Sequence, residues 1–299
     1  MKTYLDCFPC MLNQALEAAR VATPDEAQQR EILNKVMGLL IGLRLDASPP
    51  EIARKSHRLV RELSGNPDPY KDQKHEYNTR ALALLPELRS QVEHAQDPLE
   101  LAVRLSIAGN VIDFGAMASG FDFDREWKNA HSAPFGISDY EAFKADVQEA
   151  RSILYLGDNA GEIVFDRLLV EVLQKISKAE ITFVVRGEPV LNDATLEDAR
   201  FAGLDRLVPV MDNGNDAPGT VLSEVRPEVR ALFASSDVII AKGQGNYETL
   251  SDAPGNIYFL FQVKCPVIGR SAGAEVGRYM LKGSALLSSS DPSSKLDLS

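Results

Sequence analysis

Two polar residues, Asp158 and Asn159, occupy a short turn between an apolar run and an amphipathic run. The stretch SILYLGDNAGEIVFDRLL, residues 152–169, indicates a strand followed by a helix, with Gly157 and Gly161 flanking the turn. Nucleotide-binding turns press backbone amides against a phosphate, and a carboxylate at that place would repel it. Side-chain oxygens of Asp and Asn suit a hard divalent cation such as Mg²⁺ or Mn²⁺. The turn therefore favours a metal over a nucleotide phosphate.

Asp193 is the candidate for a third oxygen ligand. It lies in the loop LNDAT, which follows the next apolar run along the chain. Helix capping is the common alternative for an aspartate at such a position, because the carboxylate accepts hydrogen bonds from the first backbone amides of a helix. If Asp193 is considered alone, helix capping is the favoured interpretation. With Asp158 and Asn159 at the same edge of a sheet, we predict that all three residues bind a divalent cation.

Two lysines follow later apolar runs. Lys242 lies in AKGQGNYETL, where the glycines at 243 and 245 would let the backbone approach a ligand closely. A lysine at this point offers a positive charge to a phosphoryl oxygen. Lys264 could offer a second charge, although a solvated lysine at a strand end is equally expected there. The order GxxxxGK[ST] is absent, so hydrolysis of nucleoside triphosphates is not implied.

The helices and strands that must position these residues can be predicted from the spacing of apolar residues, and this spacing changes near the middle of the chain. The first half has apolar residues three and four apart, which predicts helices, and no strand is predicted before about residue 150. Beyond it, short β-branched runs alternate with helical segments, which is typical of a parallel sheet covered by helices. The predicted strands are SILYLG, EITFVVRG, RLVPVM, SDVIIAKG and NIYFLFQVK. Since parallel strands end at one edge, the polar residues after them should converge in one crevice.

These patterns divide the chain into three predicted parts. Residues 1–150 form a helical region that we expect to cover the crevice and set specificity. Residues 151–282 form the α/β domain that holds the metal. Residues 283–299 are serine-rich and lack periodicity, which predicts a disordered tail.

The net charge of −11 restricts the expected partners. Nucleic acids are excluded, because their binding draws on basic side chains that neutralise phosphates. A small anionic ligand would need a local cation, supplied by a metal or by lysines. No segment approaches the length of a membrane span, so no membrane partner is expected.

The cysteines of the chain are Cys7, Cys10 and Cys265. Three is a small and odd number, which does not suit the disulfide framework of a secreted protein. A reducing cytoplasm is the expected compartment. The spacing of Cys7 and Cys10 allows half a zinc site or a redox pair, but no second CxxC or His pair follows at zinc-finger spacing. Structural cysteines at a helix start are the favoured interpretation.

Asn110 and Asp113 are polar residues in an otherwise apolar stretch, SIAGNVIDFGA. Polar groups in such surroundings either satisfy helix ends or face a site, because burying them without a partner is costly. Their positions alone do not separate these alternatives.

Several motifs, taken together and in order, resemble one known family. DCFPC, GNVIDFG, LGDNAGEIVFDRLL, LNDAT, DAPGT, SDVIIAKGQGNYETL and FLFQVKCPVI span the chain from Cys7 to about Ile268. They resemble the DUF89 family (damage-control phosphatase, ARMT1-like), in the branch with an N-terminal CxxC. The resemblance implies a helical N-terminal region packed on a Rossmann-like three-layer α/β/α domain with a mainly parallel sheet. It also implies a metal-dependent phosphatase of small phosphorylated metabolites, including damaged ones, such as sugar phosphates or phosphopantetheine-like compounds.

The resemblance carries over residue by residue. Its metal ligands correspond to Asp158, Asn159 and Asp193, and the metal it implies is Mn²⁺, Mg²⁺, Co²⁺ or Ni²⁺. Its catalytic positions correspond to Asp158 and Asn159 together with Asp113 and Lys242. Its substrate-binding positions correspond to Asn110, Asp113, Lys242, Glu248 and Lys264.

The expected reaction is attack by water on a phosphomonoester, with Lys242 neutralising a phosphoryl oxygen. Attack by a carboxylate to form a covalent phospho-enzyme stays open, and Asp113 is the candidate for it. Two other classes of function also stay open. One is an S-adenosylmethionine-dependent methyltransferase, for which the chain has no clear glycine-rich turn, and the other is a non-catalytic metabolite-binding protein.

Overall fold

The computed structural model of the chain describes residues 1–109 and 133–284. Its helices are α1 (Cys7–Ala22), α2 (Glu26–Ile41), α3 (Pro49–Ser64), α4 (Lys71–His94), α5 (Pro98–Ala108), α6 (Tyr140–Glu149), α7 (Glu162–Ile176), α8 (Leu196–Phe201), α9 (Pro227–Ser235), α10 (Gly243–Leu250) and α11 (Pro266–Ala272). Its strands are β1 (Phe135–Ser138), β2 (Ser152–Leu156), β3 (Glu180–Val185), β4 (Val210–Asp212), β5 (Val238–Lys242), β6 (Ile257–Gln262) and β7 (Tyr279–Gly283). None of the helices in these ranges is long and apolar enough to span a bilayer.

Helices α1 to α3 pack around a small core of their own. Helix α3 begins with a capping box, in which the Ser48 backbone N–H donates to the Glu51 carboxylate at 2.8 Å. Pro49 occupies the first turn of this helix, where its fixed φ suits the helix and no N–H is needed. The shared core of the three helices includes Met11, Ala15, Ile32, Val36, Ile52 and Val60.

Helices α4 and α5 belong to the core of the sheet instead. Leu85 and Leu88 of α4 and Leu105 of α5 are buried in the same cluster as Tyr155 of β2 and Phe183 of β3. The helical half therefore has two parts: a unit of α1 to α3, and a pair of helices built into the α/β body.

The described strands form one sheet in the order β1-β7-β6-β5-β2-β3-β4. The strands from β6 to β4 are all parallel, β7 runs antiparallel to β6, and β1 is parallel to β7. Apolar clusters fill both faces of the sheet, as the continuous apolar runs in its strands require. The predicted fold class, a mainly parallel sheet between layers of helices with a helical N-terminal region, is confirmed.

Three elements differ from the prediction. Strand β1 lies before residue 150, so the prediction of no strand there was wrong, and the sheet begins earlier than residue 151. Strand β7 has no counterpart among the predicted strands and continues to Gly283, past the predicted boundary at residue 282. The sequence predicts a loop for GQGNYETL, whereas these residues form helix α10 directly after β5.

Strand β2 lies at the switch point of the parallel sheet. It pairs with β3 on one side and with β5 on the other. The chain therefore leaves β2 and β5 in opposite directions, which opens a crevice beyond their carboxyl ends. Asp158 follows β2 and Gly243 follows β5, so the fold positions the predicted ligands at this crevice.

Candidate active site

The turn after β2 and the loop after β3 are held side by side by backbone contacts. The backbone N–H of Ala194 donates to the carbonyl oxygen of Asp158 at 2.8 Å. Asn159 and Asp193 form an isolated antiparallel bridge. The structure therefore brings Asp158, Asn159 and Asp193 together, although Asp193 lies more than thirty residues further along the chain.

Arg186 lies between the two carboxylates. Its Nε donates to Asp193 Oδ2 at 2.6 Å, and its terminal nitrogen donates to Asp158 Oδ1 at 3.3 Å. The side chain is 2% exposed. Sequence reasoning did not select Arg186 as a site residue, although it comes directly after β3 and so follows the same strand-end rule that selected Asp158.

The donor set fits a hard divalent cation. Asp158 and Asp193 offer carboxylates, and Asn159 would bind through its carbonyl Oδ1, because its amide nitrogen donates to Asp158 Oδ2 at 2.8 Å. The pKa of Asp193 is raised to about 7, because burial and the nearby Asp158 carboxylate raise it by more than the Arg186 guanidinium lowers it. A cation would offset this repulsion between the carboxylates. Within the described ranges no group of three His, Cys, Asp or Glu side chains could hold a metal ion. A metal site here would therefore need the amide oxygen of Asn159 as its third ligand, and metal binding by these residues stays a prediction.

Lys242 lies beneath the site and not in the pocket. It is completely buried, and its ammonium nitrogen donates to Glu162 Oε1 at 2.5 Å, Asp166 Oδ1 at 2.6 Å and the Ser106 carbonyl at 2.8 Å. A lysine ammonium has three N–H donors, so in this arrangement none is left for a ligand. The geometry thus differs from the predicted contact of Lys242 with a phosphoryl oxygen.

Glu162 connects this buried network to the predicted metal ligands. Its Oε1 accepts from Lys242, and its Oε2 accepts from the side-chain amide of Asn159 at 3.2 Å. The pKa of Glu162 is raised to about 8, because burial and the Asp158 carboxylate raise it by more than the Lys242 ammonium lowers it. Lys242 therefore acts on the site through Glu162, whose position fixes the orientation of Asn159.

Gly243 must be a glycine because the backbone at the junction of β5 and α10 passes against the carboxylate of Asp158. Its φ is +80°, in the left-handed region, and a Cβ atom at this position would overlap the carboxylate oxygens of Asp158. This close approach locks Asp158 in place from the β5 side of the crevice.

Substitution of Gly243 by alanine is expected to displace Asp158. We expect a loss of about 1–2 kcal/mol of folding stability from the positive φ, and about a 10- to 100-fold lower affinity for Mn²⁺, as found for groups that orient metal ligands. Gly273→Ala is the matched control, because Gly273 also has a φ of +80° but its Cβ would meet its nearest atom only at 3.9 Å. Calorimetry with Mn²⁺ and chemical unfolding separate the two effects. Equal Mn²⁺ affinities in both variants would contradict the role given to Gly243.

A pocket of about 650 Å³ opens in front of the predicted ligands. The sheet side contributes the turn and loop that carry Asp158, Asn159 and Asp193, and the helical region forms the opposite wall. The residues of that wall include Cys7, Cys10 and Gln14 of α1, Pro49 of α3, and Gln73 and Tyr77 of α4. The helical region therefore contributes part of the pocket lining, and its role in covering the crevice and setting specificity stays a prediction.

Glu248 and Lys264 both line this pocket, so the structure brings them to the same site as the predicted ligands. The pKa of Glu248 is raised to about 7, because burial raises it by more than the hydrogen bond from Gln244 and the charge of the amino terminus lower it. Asn110 and Asp113 lie outside the described residues, and Gly109, immediately before them, lines the pocket.

The fold and the site together define a Rossmann-like α/β protein with a carboxylate-bearing pocket at the switch point of its sheet. A family model described as the damage-control phosphatase ARMT1-like domain matches residues 3–280. The chain belongs to this family.

Relatives support the assignment over at least nine-tenths of the chain. A damage-control phosphatase of Pyrococcus horikoshii is 35% identical over 272 residues, covering 90% of this chain and 94% of that protein. A damage-control phosphatase of Archaeoglobus fulgidus is 34% identical, covering 92% and 97%. The crystal structure of a DUF89 family protein from Pyrococcus horikoshii superposes with a TM-score of 0.88 at 33% identity, covering 95% of this chain and 99% of that one. The assignment to a branch with an N-terminal CxxC stays a prediction.

Proposed function

We propose that the chain is a metal-dependent phosphatase that hydrolyses phosphomonoesters of small metabolites, including damaged ones. The names of its relatives support phosphatase activity on damaged metabolites. The observation that carries the metal dependence is the convergence of Asp158, Asn159 and Asp193 at the switch-point crevice. In α/β sheets this crevice is the usual place for a ligand.

The pocket sets the size of the substrate. A volume of about 650 Å³ lies in the range of about 300–1,000 Å³ that is usual for small-molecule sites. The wall formed by α1, α3 and α4 is separate from the strand ends, so the phosphoryl group would lie at the sheet and the rest of the metabolite at the helices. Sugar phosphates and phosphopantetheine-like compounds fit this division.

In this proposal Asp158, Asn159 and Asp193 would hold the divalent cation. When bound, the cation supplies positive charge against the negative charge that develops on the phosphoryl group. Arg186 holds both carboxylates in place from behind. Lys242 holds Glu162 in position through a hydrogen bond, and so orients Asn159.

Two residues of the pocket wall are proposed to contact the substrate. Lys264 offers an ammonium group to a phosphoryl oxygen, which offsets the repulsion that a chain of net charge −11 exerts on an anion. Glu248, with a pKa raised by burial to about 7, can accept a hydrogen bond from a substrate hydroxyl or donate one to it near neutral pH.

Trapping with beryllium fluoride would show whether a carboxylate or water attacks the phosphorus.

The test is a phosphatase screen over sugar phosphates, phosphopantetheines and nucleotides. The protein is first stripped with a chelator and then supplied with Mn²⁺, Mg²⁺, Co²⁺ or Ni²⁺. We expect turnover of at least one phosphomonoester that disappears on chelation and returns with metal, because the carboxylates of Asp158 and Asp193 would repel an anionic ester unless a cation offset their charge.

Other outcomes identify the alternatives. Turnover that survives chelation would contradict the metal dependence. Tight calorimetric binding of S-adenosylmethionine in chelator, without phosphatase activity, would identify a methyltransferase. Ligand-induced stabilisation without turnover of any ester would identify a non-catalytic binding protein.

A further inference from the structure

Asn78 of α4 is a buried polar residue, 1% exposed, that does not line the candidate pocket. Its amide nitrogen donates to Asp198 Oδ1 at 2.8 Å, and its amide oxygen accepts from the backbone N–H of Gly161 at 2.7 Å. These partners define the orientation of the amide, because a backbone N–H only donates and an ionised carboxylate only accepts. Asn78 therefore joins two segments that lie more than thirty residues apart in the sequence.

The two segments are those that carry the predicted metal ligands. Gly161 ends the turn of Asp158 and Asn159 and immediately precedes α7. Asp198 lies in the first turn of α8, which begins three residues after Asp193. The bridge through the side chain of α4 therefore connects the points at which both segments pass into their helices.

Asp198 anchors the loop of Asp193 to the start of α8. Its Oδ2 accepts from the backbone N–H and from the hydroxyl of Thr195, each at 2.8 Å, which completes a capping box. Its Oδ1 accepts from Asn78. The ammonium group of Lys74, one turn before Asn78 on the same face of α4, lies 3.6 Å from Oδ2. Both oxygens of this carboxylate are engaged, so it links the position of α4 to that of the loop.

Two backbone hydrogen bonds already join the segments, and the side chain of Asn78 adds a third connection. Ala194 N–H donates to the carbonyl of Asp158 at 2.8 Å. Ala160 N–H donates to the carbonyl of Asn192 at 2.8 Å. Two neighbouring bonds resist separation of the segments better than they resist rotation of one against the other. A third bond, from a helix that is packed into the core of the sheet, restrains that rotation.

We propose that Asn78 is a positioning residue for the metal site, which holds the turn and the loop in the register at which Asp158, Asn159 and Asp193 share one cation. This role rests on the proposed phosphatase function, because a bound cation is what requires the register. The position needs one donor and one acceptor on a short planar group, which an asparagine supplies. Alanine would leave the buried N–H of Gly161 without its acceptor.

The first test measures Mn²⁺ affinity by calorimetry in Asn78→Ala. We expect binding about 10- to 100-fold weaker than in the parent chain, the usual loss when a group that orients metal ligands is removed. The urea midpoint should also fall, because a buried N–H loses its acceptor. Asn256→Ala is the matched control. Asn256 donates to Asp146 Oδ2 at 2.7 Å directly before β6, at the end of the strands opposite to the crevice, so its loss should lower the midpoint and leave Mn²⁺ affinity unchanged.

The second test exchanges the two partners of the bridge. Asn78→Asp places two carboxylates against each other, and Asp198→Asn removes the acceptor, so each alone should lower both the urea midpoint and Mn²⁺ affinity. When the two substitutions are combined, the carboxylate at position 78 can accept from Gly161 and from the amide at position 198. The amide oxygen at position 198 can still accept from Thr195. The net charge is unchanged, and most of the loss should be recovered, as expected for groups in direct contact.

The third test involves no metal. Amide hydrogen exchange is followed by mass spectrometry in a chelator without denaturant, where local opening dominates. In the peptides that cover residues 158–163 and 192–199, we expect exchange about 2- to 10-fold faster in Asn78→Ala, the factor that corresponds to the loss of one ordinary hydrogen bond. Exchange of the same peptides should be unchanged in Asn256→Ala. If Asn78→Ala does not fold, Asp198→Asn takes its place in this comparison.

Several results would overturn the proposal. Parental Mn²⁺ affinity in Asn78→Ala, or an equal loss in Asn256→Ala, would leave Asn78 with a structural role alone. Strictly additive losses in the doubly substituted chain would show that Asn78 and Asp198 do not act as a pair. Unchanged exchange in both segments would show that the bridge does not hold them.

Failure of the proposed function has a different signature. A parent chain that binds no Mn²⁺ and hydrolyses no ester would contradict that function, and with it the metal role of Asn78. The exchange rates and the urea midpoints of the exchanged pair would still show whether the bridge holds the two segments together.

Discussion

Asp158→Ala is expected to reduce Mn²⁺-stimulated hydrolysis of p-nitrophenyl phosphate by about 100- to 1,000-fold or more, the loss typical for removal of one group that stabilises developing charge. The substitution removes one of the two carboxylates that would hold the cation. The fold should persist, because Arg186 keeps its 2.6 Å hydrogen bond to Asp193 and remains neutralised. The backbone carbonyl that accepts from Ala194 is also unchanged.

Asp205→Ala is the matched control for this experiment. It removes the same charge from an exposed position outside the pocket, so it should leave hydrolysis and Mn²⁺ affinity unchanged. Near-parental metal-stimulated hydrolysis in Asp158→Ala would exclude Asp158 from the metal site. Loss of circular dichroism in this variant would instead show that the carboxylate is needed for folding.

The parallel part of the sheet is predictable because its strands are buried on both faces. Strands β2, β3, β5 and β6 are continuous apolar runs, and such runs indicate a covered parallel sheet without any tertiary information. Strands β1 and β7 carry no such signal. They lie at one side of the sheet and depend on pairing with residues distant in the sequence, as in the pairing of Phe135 with Tyr279.

Helix α10 was not predicted from the sequence, because tertiary contacts stabilise a segment with poor helix propensity. GQGNYETL contains two glycines and an asparagine, which favour turns in isolation. Asn246 is completely buried, and its side chain accepts from Thr220 at 2.8 Å and donates to the Lys242 carbonyl at 2.8 Å. Contacts of this kind cannot be inferred from local spacing.

The convergence of the predicted ligands follows from topology alone, whereas the place of Lys242 does not. The strand-end rule locates Asp158, Asn159 and Asp193 at one edge, and it also locates Arg186, which was not selected. The rule treats every strand-end lysine as facing the crevice. A signal for the buried arrangement did exist, because Glu162 and Asp166 lie four residues apart on the apolar face of helix α7, where only a paired charge is tolerated.

Lys242→Met is expected to destabilise the fold by about 3–5 kcal/mol, the usual cost of removing one partner from a buried ion pair. Methionine retains the length of the side chain but not its charge. Glu162 and Asp166 are both completely buried, and they would lose the ammonium group that lies 2.5 Å and 2.6 Å from their oxygens. Lys178→Met, at an exposed lysine, is the control and should change stability by less than about 0.5 kcal/mol.

Adding Asp166→Asn to Lys242→Met tests the physical reason for that loss. If the cost comes from unbalanced negative charge, the second substitution removes one of the two buried carboxylates and should restore part of the stability, although Asp166→Asn alone weakens the network. The two effects would then not add, as expected for groups in direct contact. Urea unfolding followed by circular dichroism measures all three variants. Strictly additive losses would mean that Lys242 stabilises the core by packing, and that its charge does not hold Glu162 and Asn159 in place.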